Sequence, residues 1–304
     1  MRIVSLLSSA TEILHHLGLT TDLVGISHEC DYPPEVLDRP RVSRVRFDPA
    51  GMDSAEIDAA VRGSMERYGS VYEVDAGMLG SLRPDLVLTQ AVCEVCAVPT
   101  PSVREVAERL PRPPRILSLD AHTIEDIVSS VEIVGVAAGA AREGEQSAAA
   151  LRRRIDAIAS TVAGCPLPRV LLLEWLDPPF VPGHWVPEMV SLAGGRCLAG
   201  VPGQRSVQVS WDDLQGLDPD IVLVEPCGYG LERAAAEAER FQDRIRRVAP
   251  RAVAEGRIWA LDSARFSRSG PRVAEGVEAL AAILHPEVFP ESPSDNTAHR
   301  CART

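Results

Sequence analysis

Short, nearly continuous apolar runs recur along the 304-residue chain, and segments with helical periodicity separate them. Such runs are typical of buried parallel strands in α/β layers, where helices cover both faces of a sheet. Helix starts are marked as well: Ser9-Ala10-Thr11-Glu12 has the spacing of a capping box, and Ser54 with Glu56 opens a second helical run. The pattern therefore predicts open sheets joined by right-handed helical crossovers.

The apolar runs form an internal repeat, with three matching pieces in the same order in both halves. Arginine-led runs open the two halves at Arg2 and Arg169. We therefore predict two α/β lobes, each with one small open sheet. The other matches are Leu82-Arg-Pro-Asp-Leu-Val-Leu with Leu217-Asp-Pro-Asp-Ile-Val-Leu, and Arg115-Ile-Leu-Ser-Leu-Asp with Arg257-Ile-Trp-Ala-Leu-Asp.

Residues 122–164 lie between the halves and have helix-forming composition, weakened locally by Gly135, Gly139 and Gly144. We expect one long spine helix there, which joins an N-terminal lobe at 1–121 to a C-terminal lobe at 165–288. Residues 289–304 are polar and rich in proline and serine, so we expect a disordered tail.

Charge narrows the range of partners and reactions. All 31 basic residues are arginine, and with 43 acidic residues they leave a formal net charge of -12. Without lysine the chain has no Schiff-base chemistry and no lysine-bearing phosphate loop. An acidic chain repels polyanions, so we expect no nucleic-acid partner. No apolar run reaches the roughly 18 residues of a spanning helix, so we expect no membrane insertion.

The chain starts with a short apolar run that passes directly into a strand-then-helix pattern, without the small-residue cleavage site of a secretory signal. We therefore expect the protein to stay in the cytoplasm. Seven cysteines are an odd number for a disulfide framework. In a reducing compartment, thiols and metal ligands are the two better interpretations of these residues.

Polar side chains follow two of the predicted strands, at the sheet edge where ligands bind in open α/β folds. His28 and Glu29 come after the run at residues 23–26, and Glu225 comes after the run at 221–224. An imidazole at such a place serves as a metal ligand or a general acid, and neighbouring carboxylates move protons. A His28 ring that merely bonds a loop carbonyl is the alternative interpretation.

Four cysteines also lie at these strand ends, namely Cys30, Cys93, Cys96 and Cys227. The two-residue spacing of Cys93 and Cys96 lets two thiolates bind one soft metal ion, or form a redox pair. Zinc, iron, an iron–sulfur cluster and cobalt are the candidate metals. Two half-buried thiols in a turn explain the same pair without a metal.

The loop after the second arginine-led run is rich in proline and aromatic residues. It carries Glu174, Trp175, His184 and Trp185. Rigid aromatic faces suit a flat, largely apolar ligand, because they add contact area at little entropic cost. We expect Trp185 to face the ligand, and we expect Trp175 to plug the lobe.

Arg265 and Phe266 follow the last strand of the second half. An arginine at this place clamps ligand carboxylates or phosphates, or it stays solvated. We count both residues among the predicted ligand contacts, with Glu174 and His184 from the preceding loop.

Five stretches, spread over about residues 1 to 288, resemble one known family. They are Arg2-Ile-Val-Ser-Leu-Leu-Ser-Ser-Ala-Thr-Glu-Ile-Leu, Leu23-Val-Gly-Ile-Ser-His-Glu-Cys-Asp-Tyr-Pro, Leu82-Arg-Pro-Asp-Leu-Val-Leu, Leu192-Ala-Gly-Gly and Phe266-Ser-Arg-Ser-Gly-Pro-Arg. These stretches resemble the helical-backbone (class III) periplasmic substrate-binding proteins, most closely the cobalamin-binding branch. The resemblance implies two α/β lobes, one long connecting helix, and a flat corrinoid or metal chelate in the cleft between the lobes. The positions that match the family's cleft loops are Ser8, His28, Tyr32, Gln90, Trp185 and Arg265.

Three hypotheses follow for function. The first is a cytoplasmic, non-catalytic binding protein for cobalamin, another corrinoid or a related metal chelate. The second is a metalloenzyme in which the strand-end cysteines hold zinc or an iron–sulfur cluster, while His28, Glu29 or Glu225 moves protons. The third is the substrate-binding subunit of an ABC importer, whose partner is a permease if the protein is exported.

Overall fold

The computed structural model describes residues 1–92 and 97–301 and divides into two units. The first unit comprises Met1–Ala121 with Asp126–Ala150, and the second comprises His122–Glu125 with Leu151–Thr304. Each unit contains a mainly parallel sheet with helices, so the predicted fold class, two α/β lobes, is confirmed.

The first unit is built on a parallel sheet with the strand order β2-β1-β5-β6. Strands β1 and β5 are buried along their whole length, which explains their continuous apolar runs. A small antiparallel pair, β3 with β4, is formed by residues that lie between β2 and β5 in the sequence. The elements are β1 (Ile3–Ser5), α1 (Ser8–His16), β2 (Leu23–Ile26), β3 (Ser43–Val45), α2 (Ser54–Tyr68), β4 (Tyr72–Val74), α3 (Ala76–Leu82), β5 (Leu86–Thr89), α4 (Thr100–Ala107) and β6 (Arg115–Ser118).

The two predicted helix starts have different outcomes. Helix α2 begins where expected, and Asp53 caps it in a reciprocal capping box with Glu56. The predicted capping box at residues 9–12 is wrong, because α1 already begins at Ser8 with Leu7 as its N-cap. Glu12 therefore lies inside the helix and is buried.

The connecting stretch is helical but contains two helices, α5 (Ile124–Ala138) and α6 (Ala141–Thr161), where the sequence predicts one spine over 122–164. The break lies at Gly139, whose φ of +82° is a left-handed conformation that glycine adopts without a Cβ clash. The backbone N–H of Ala140 bonds the carbonyl of Gly135 at 2.7 Å, which closes α5 as a Schellman-type end. Within the described residues, no helix has the length and apolar character needed to cross a bilayer.

The second unit is built on the sheet β10-β7-β12-β13-β14, in which only the last strand pair is antiparallel. Strands β8 and β9 follow β7 in the chain and form a small antiparallel sheet with β11, in the order β11-β9-β8. The elements are β7 (Arg169–Leu173), β8 (Trp175–Leu176), β9 (Pro179–Val181), α7 (Val186–Leu192), β10 (Arg196–Cys197), β11 (Val207–Gln208), β12 (Ile221–Val224), α8 (Leu231–Arg240), α9 (Gln242–Val248), α10 (Pro250–Ala254), β13 (Ile258–Leu261), α11 (Val273–Leu284) and β14 (Ala298–Arg300).

The expected disordered tail at 289–304 is partly wrong, because it contains the edge strand β14. Its residues pair with β13, with Ala298 opposite Leu261 and Arg300 opposite Trp259. Ala298 is buried, and the Arg300 guanidinium donates to the carbonyl of Gly256 at 2.6 Å. A polar composition therefore did not prevent this segment from completing a sheet edge.

The internal repeat is confirmed in the strand order, since β1, β5 and β6 are arranged as β7, β12 and β13 are. The shared Pro-Asp motif has the same role in both sheets: Asp85 accepts from the backbone N–H of Arg2 at 2.9 Å, and Asp220 accepts from that of Arg169 at 2.7 Å. The aspartates thus fasten the starts of neighbouring strands. This motif is structural in both halves.

Candidate functional site

A small pocket lies in the first unit at the carboxyl ends of β1 and β2 and in the loops beyond them. Its empty volume is about 180 Å³, part of it open to solvent. The carboxyl ends of parallel strands meet at one sheet edge, which is the predicted position of the site. The lining residues are Leu6, Ser8, Ser27, His28, Glu29, Ala97 and Val98.

His28 is the imidazole of this pocket, and the small β3–β4 sheet holds its ring. Its Nδ1 atom lies 3.0 Å from the hydroxyl of Ser43, and its backbone N–H donates to the same hydroxyl at 3.3 Å. The ring of Tyr72 packs against it with centroids 5.0 Å apart. The alternative of a His28 ring bonded to a loop carbonyl is therefore wrong, because Nδ1 lies on a serine hydroxyl.

Among the residues that the structure describes, the other ring nitrogen of His28 has no hydrogen-bond partner although it is buried. The carboxylate of Glu29 is close to it, with Oε1 3.3 Å from Nε2 but without hydrogen-bond alignment. The Glu29 side chain is half exposed, while that of His28 is 18% exposed. The Nε2 atom is thus covered by a group that projects into solvent.

The other predicted contacts of the first unit differ in accessibility. Ser8 donates to the carbonyl of Glu29 at 3.0 Å and so fixes the pocket loop. Gln90 is 5% exposed, which leaves little of its surface for a ligand, and its backbone carbonyl accepts from the backbone N–H of Thr100. Tyr32 is 36% exposed, so it is the predicted aromatic contact that a ligand reaches in this unit.

The structure corrects the metal-ligand prediction for Cys30. Its side chain is 1% exposed, and its sulfur lies 3.0 Å from the hydroxyl of Thr11 and 3.3 Å from that of Ser27. The Arg41 guanidinium donates to the carbonyls of Ser27 and Cys30 at 2.8 and 2.6 Å. Cys30 is therefore a buried part of a hydrogen-bonded loop.

The other three predicted cysteine ligands are Cys227, Cys93 and Cys96. Cys227 is exposed in the second unit. Cys93 and Cys96 lie outside the described residues. Over the ranges 1–92 and 97–301, no group of three or more His, Cys, Asp or Glu residues is arranged to hold a metal ion.

Two glutamates meet at the corresponding strand ends of the second unit. Glu174 follows β7 and Glu225 follows β12, and the residues before them, Leu173 and Val224, are register partners. The backbone N–H of Glu225 also donates to the carbonyl of Leu173 at 2.9 Å. The sequence predicted a role for each glutamate separately, and the structure makes them neighbours.

Glu225 is fully buried, and Glu174 is partly buried. Burial raises the pKa of Glu174 to about 7. The Ser206 hydroxyl donates to this carboxylate at 2.5 Å, and that hydrogen bond partly opposes the rise in pKa. Burial, together with the negative charges of Glu174 and Asp262, raises the pKa of Glu225 well above its ordinary value. The Ser267 hydroxyl donates to Glu225 Oε1 at 2.5 Å, while Oε2 is buried without a partner among the described residues. These surroundings favour the neutral form of Glu225 over the charged form.

The structure corrects three predicted ligand contacts in the second unit. Trp185 is 7% exposed, and its indole N–H donates to the carbonyl of Phe266 at 2.6 Å. Phe266 is fully buried in the core. Arg265 is bonded to Asp262, and its Nε lies 3.2 Å from Glu275, so its charge is already paired. Trp185 therefore plugs the unit, which is the role expected for Trp175.

Trp175 is partly exposed and belongs to an aromatic cluster that sequence reasoning missed. Its ring meets that of Tyr229 edge-on with centroids 5.1 Å apart, and the Arg233 guanidinium lies 3.9 Å over the Tyr229 ring. Tyr229 comes four residues after Glu225, so its place beyond a strand end was the available signal. The cluster joins the loops after β7 and β12.

His184 has a strained backbone, with a φ of +51° in a residue other than glycine. Its ring lies between those of His122 and Trp185, at centroid distances of 5.6 and 5.9 Å. Burial, with the nearby His122 and the positive charge of Arg205, lowers its pKa. We therefore expect a neutral imidazole at pH 7, which retains one nitrogen lone pair.

Comparison with known proteins identifies relatives that cover most of the chain. The sequence model of the family named Periplasmic binding protein matches residues 3–264. The uncharacterized ABC transporter substrate-binding lipoprotein YvrC of Bacillus subtilis (strain 168) is 25% identical over 297 residues, covering 95% of this chain and 82% of that protein. The Vitamin B12-binding protein of Vibrio cholerae is 23% identical over 286 residues, covering 93% of this chain and 88% of that protein.

Two solved structures have the same fold over almost the whole chain. A periplasmic heme binding protein from Pseudomonas aeruginosa has a TM-score of 0.72 at 24% identity, covering 100% of this chain and 99% of that chain. The periplasmic vitamin B12 binding protein BtuF of Vibrio cholerae has a TM-score of 0.68 at 21% identity, covering 95% and 98%. These structures confirm the predicted two-lobe α/β fold.

Proposed function

The chain belongs to the periplasmic binding protein family, and from this membership we propose that it binds a cobalt corrinoid, cobalamin or a close analogue, as its small-molecule ligand. A Vitamin B12-binding protein among its relatives supports the corrinoid. Heme-binding proteins with the same fold support the wider class of flat metal chelates. The proposed activity is reversible binding without a chemical change in the corrin ring.

One observation in this chain carries the proposal. A pocket at the strand ends of the first unit contains the imidazole of His28, and the exposed Tyr32 ring lies in the loop beyond the same strand. An imidazole nitrogen suits a borderline metal such as cobalt, and an exposed aromatic face suits a flat macrocycle. The combination favours a metal chelate over a sugar or an amino acid.

The size of the pocket limits what it holds. Its empty space of about 180 Å³ is partly open solvent, so it has room for one group of a ligand and not for a whole macrocycle. A corrinoid is larger still, so the first unit contacts one part of it. We assign the metal-side contact to His28 and a ring-face contact to Tyr32.

Replacing the exposed aromatic side chain tests the proposal directly. We expect wild-type protein to bind aquacobalamin with a sub-micromolar dissociation constant, and Tyr32→Ala to weaken binding about tenfold, since an aromatic contact is worth about 1.4 kcal/mol. Calorimetry with purified protein measures both constants. Tyr68→Ala is the control, because Tyr68 is also an exposed tyrosine of this unit, 51% exposed against 36% for Tyr32, and lies at the end of α2.

The same titration separates corrinoid from heme. Hemin is added as a competing ligand under identical conditions. Stronger binding of hemin than of aquacobalamin contradicts the corrinoid and keeps the chelate class. Wild-type protein that binds neither contradicts the proposed function as a whole.

The transport partner depends on the cellular location. Relatives named ABC transporter substrate-binding proteins support a permease as the partner of an exported carrier. The cytoplasmic location stays a prediction, for which we expect the native protein in the soluble cytoplasmic fraction after spheroplast preparation. Immunoblotting of the fractions measures this. Recovery with the periplasmic or membrane fraction contradicts that location and supports the permease.

The metalloenzyme hypothesis gains no support from the described residues. Cys30 is enclosed by hydroxyl groups, and Cys227 lies in the other unit. A resident zinc or iron–sulfur centre would survive dialysis of the purified protein. We expect dialysed wild-type protein and a Cys93→Ser, Cys96→Ser double variant to contain equally little metal by elemental analysis, and stoichiometric metal in wild type alone contradicts this.

A further inference from the structure

The two ring nitrogens of His28 have unlike surroundings. Nδ1 lies 3.0 Å from the Ser43 hydroxyl, whereas Nε2 is buried without a hydrogen-bond partner among the described residues. His285 also has one nitrogen on a partner and the other near a carboxylate, with Nε2 3.0 Å from the carbonyl of Gly194 and Nδ1 3.5 Å from Glu287. Of these two histidines, only His28 has a ring nitrogen that is buried and unsatisfied in the described part of the chain.

The support of the His28 ring is that of a metal ligand. In metal sites the non-ligating imidazole nitrogen bonds a second group, which fixes the orientation of the ring. Ser43 has this role here, because its hydroxyl contacts both Nδ1 and the backbone N–H of His28. Tyr72 packs against the ring and restricts its rotation. The Nε2 atom is therefore held in one direction.

We infer that His28 Nε2 is an axial ligand for the cobalt of the bound corrinoid, and that the Glu29 carboxylate covers this nitrogen until the corrinoid enters. This inference rests on the proposed function, since it concerns the contact that the cargo makes. Ser43 is a positioning residue, because it acts only through His28.

The covering group is suited to movement. Glu29 Oε1 lies 3.3 Å from Nε2, and half of the Glu29 side chain is exposed to solvent. The carboxylate makes no aligned hydrogen bond to the ring, and water solvates it when the side chain turns outward. The backbone of Glu29 is held in place, because its carbonyl accepts from Ser8 at 3.0 Å. Only the side chain has to move.

The binding step is a ligand exchange without redox chemistry. The cobalt–oxygen bond to the water of aquacobalamin breaks, a cobalt–nitrogen bond to Nε2 forms, and the water leaves. Cobalt keeps its oxidation state. The proton of the neutral imidazole is then on Nδ1, from which it donates to Ser43. Corrinoids with a carbon ligand at that position, such as methylcobalamin, have no water to exchange.

The test compares aquacobalamin with methylcobalamin on wild-type protein and the variant His28→Leu. We expect the cobalt absorption bands of aquacobalamin to shift when wild-type protein binds it, and we expect no such shift with His28→Leu. The variant should bind aquacobalamin at least about tenfold more weakly, by analogy with the loss of metal-site contacts. Methylcobalamin should bind both proteins within about twofold.

Two further variants separate ligation from mere packing. Ser43→Ala keeps the imidazole and loses its orienting partner, so the band shift should be retained with about tenfold weaker binding. His16→Gln removes an exposed imidazole of α1 and should leave every readout as in wild type. Circular dichroism spectra identify any variant that fails to fold. If His28→Leu does not fold, the effect of Ser43→Ala on aquacobalamin binding tests the inference instead.

The outcomes distinguish this inference from the proposed function. If wild-type protein binds aquacobalamin with an unchanged spectrum, or if His28→Leu gives the same shift, the axial role of His28 is wrong and the proposed function stands. If wild-type protein binds neither corrinoid, the proposed function fails first. Equal weakening of both corrinoids by His28→Leu means a packing role and also contradicts the inference.

Discussion

The free energy of unfolding of the second unit should fall by about 3 kcal/mol between pH 4.5 and pH 8, because the folded state raises the pKa of Glu174 and that of Glu225 and so favours their neutral forms. Burial raises the pKa of Glu174 to about 7, and burial with the charge of Glu174 raises that of Glu225. A group whose pKa is higher in the folded state stabilises the fold at low pH. This stabilisation is complete below about pH 4.5 and is lost as the pH rises through 7.

Tryptophan fluorescence measures this effect in the second unit alone. All four tryptophans of the chain, at positions 175, 185, 211 and 259, belong to that unit. Urea titrations at pH 5, 6, 7 and 8 give the free energy of unfolding at each pH. The linkage requires a decrease that is steepest between pH 5 and pH 7, the range between the ordinary pKa of glutamate and the raised one.

A neutral isostere at Glu225 separates this pair from the other carboxylates. Glu225→Gln keeps an oxygen for the Ser267 hydroxyl and removes the charge, so the variant should be more stable than wild type by about 1–3 kcal/mol at pH 8. Glu232→Gln, an exposed glutamate on α8, is the control and should follow the wild-type curve. A wild-type stability that rises from pH 5 to pH 8 would mean that these carboxylates are charged in the fold.

The fold follows from the sequence to the extent that local patterns determine it. The apolar runs and the repeated Pro-Asp motif predict both parallel sheets, since a buried strand requires successive apolar residues and Asp85 and Asp220 fasten strand starts alike. The break at Gly139 was not predicted, because a single glycine within a helical pattern more often only weakens it. Strand β14 was missed because its pairing with β13 is a long-range contact.

The site is less predictable, because accessibility depends on packing. His28 and Tyr32 were identified from their place after a strand; Tyr32 has an accessible side chain, and His28 lines the pocket although its side chain is only 18% exposed. Trp185 and Arg265 also lie in segments that follow strands, yet Trp185 fills the interior and Arg265 pairs with Asp262. Composition does not distinguish an aromatic ring that meets a ligand from one that meets its own core.

Gly183→Ala should destabilise the second unit by about 3 kcal/mol, the upper range for a forced overlap in a packed region. A Cβ at this position would lie 2.3 Å from the backbone nitrogen of Ser206 and 2.5 Å from the carbonyl oxygen of Gln204. These are main-chain atoms, so the two segments have to separate. The displacement also draws the Ser206 hydroxyl away from Glu174, which it contacts at 2.5 Å, and the pKa of that carboxyl should rise further.

Gly203→Ala provides the matched control from the same loop region. Gly203 has a left-handed φ of +74°, but nothing lies within 4 Å of the Cβ it would gain. Its replacement therefore costs only the backbone strain, about 1 kcal/mol. Urea titration with tryptophan fluorescence compares both variants with wild type at pH 7. Similar losses for the two would show that the segments at Gly183 and Ser206 yield easily, whereas a clearly larger loss in Gly183→Ala indicates that their close contact holds the loop over Glu174.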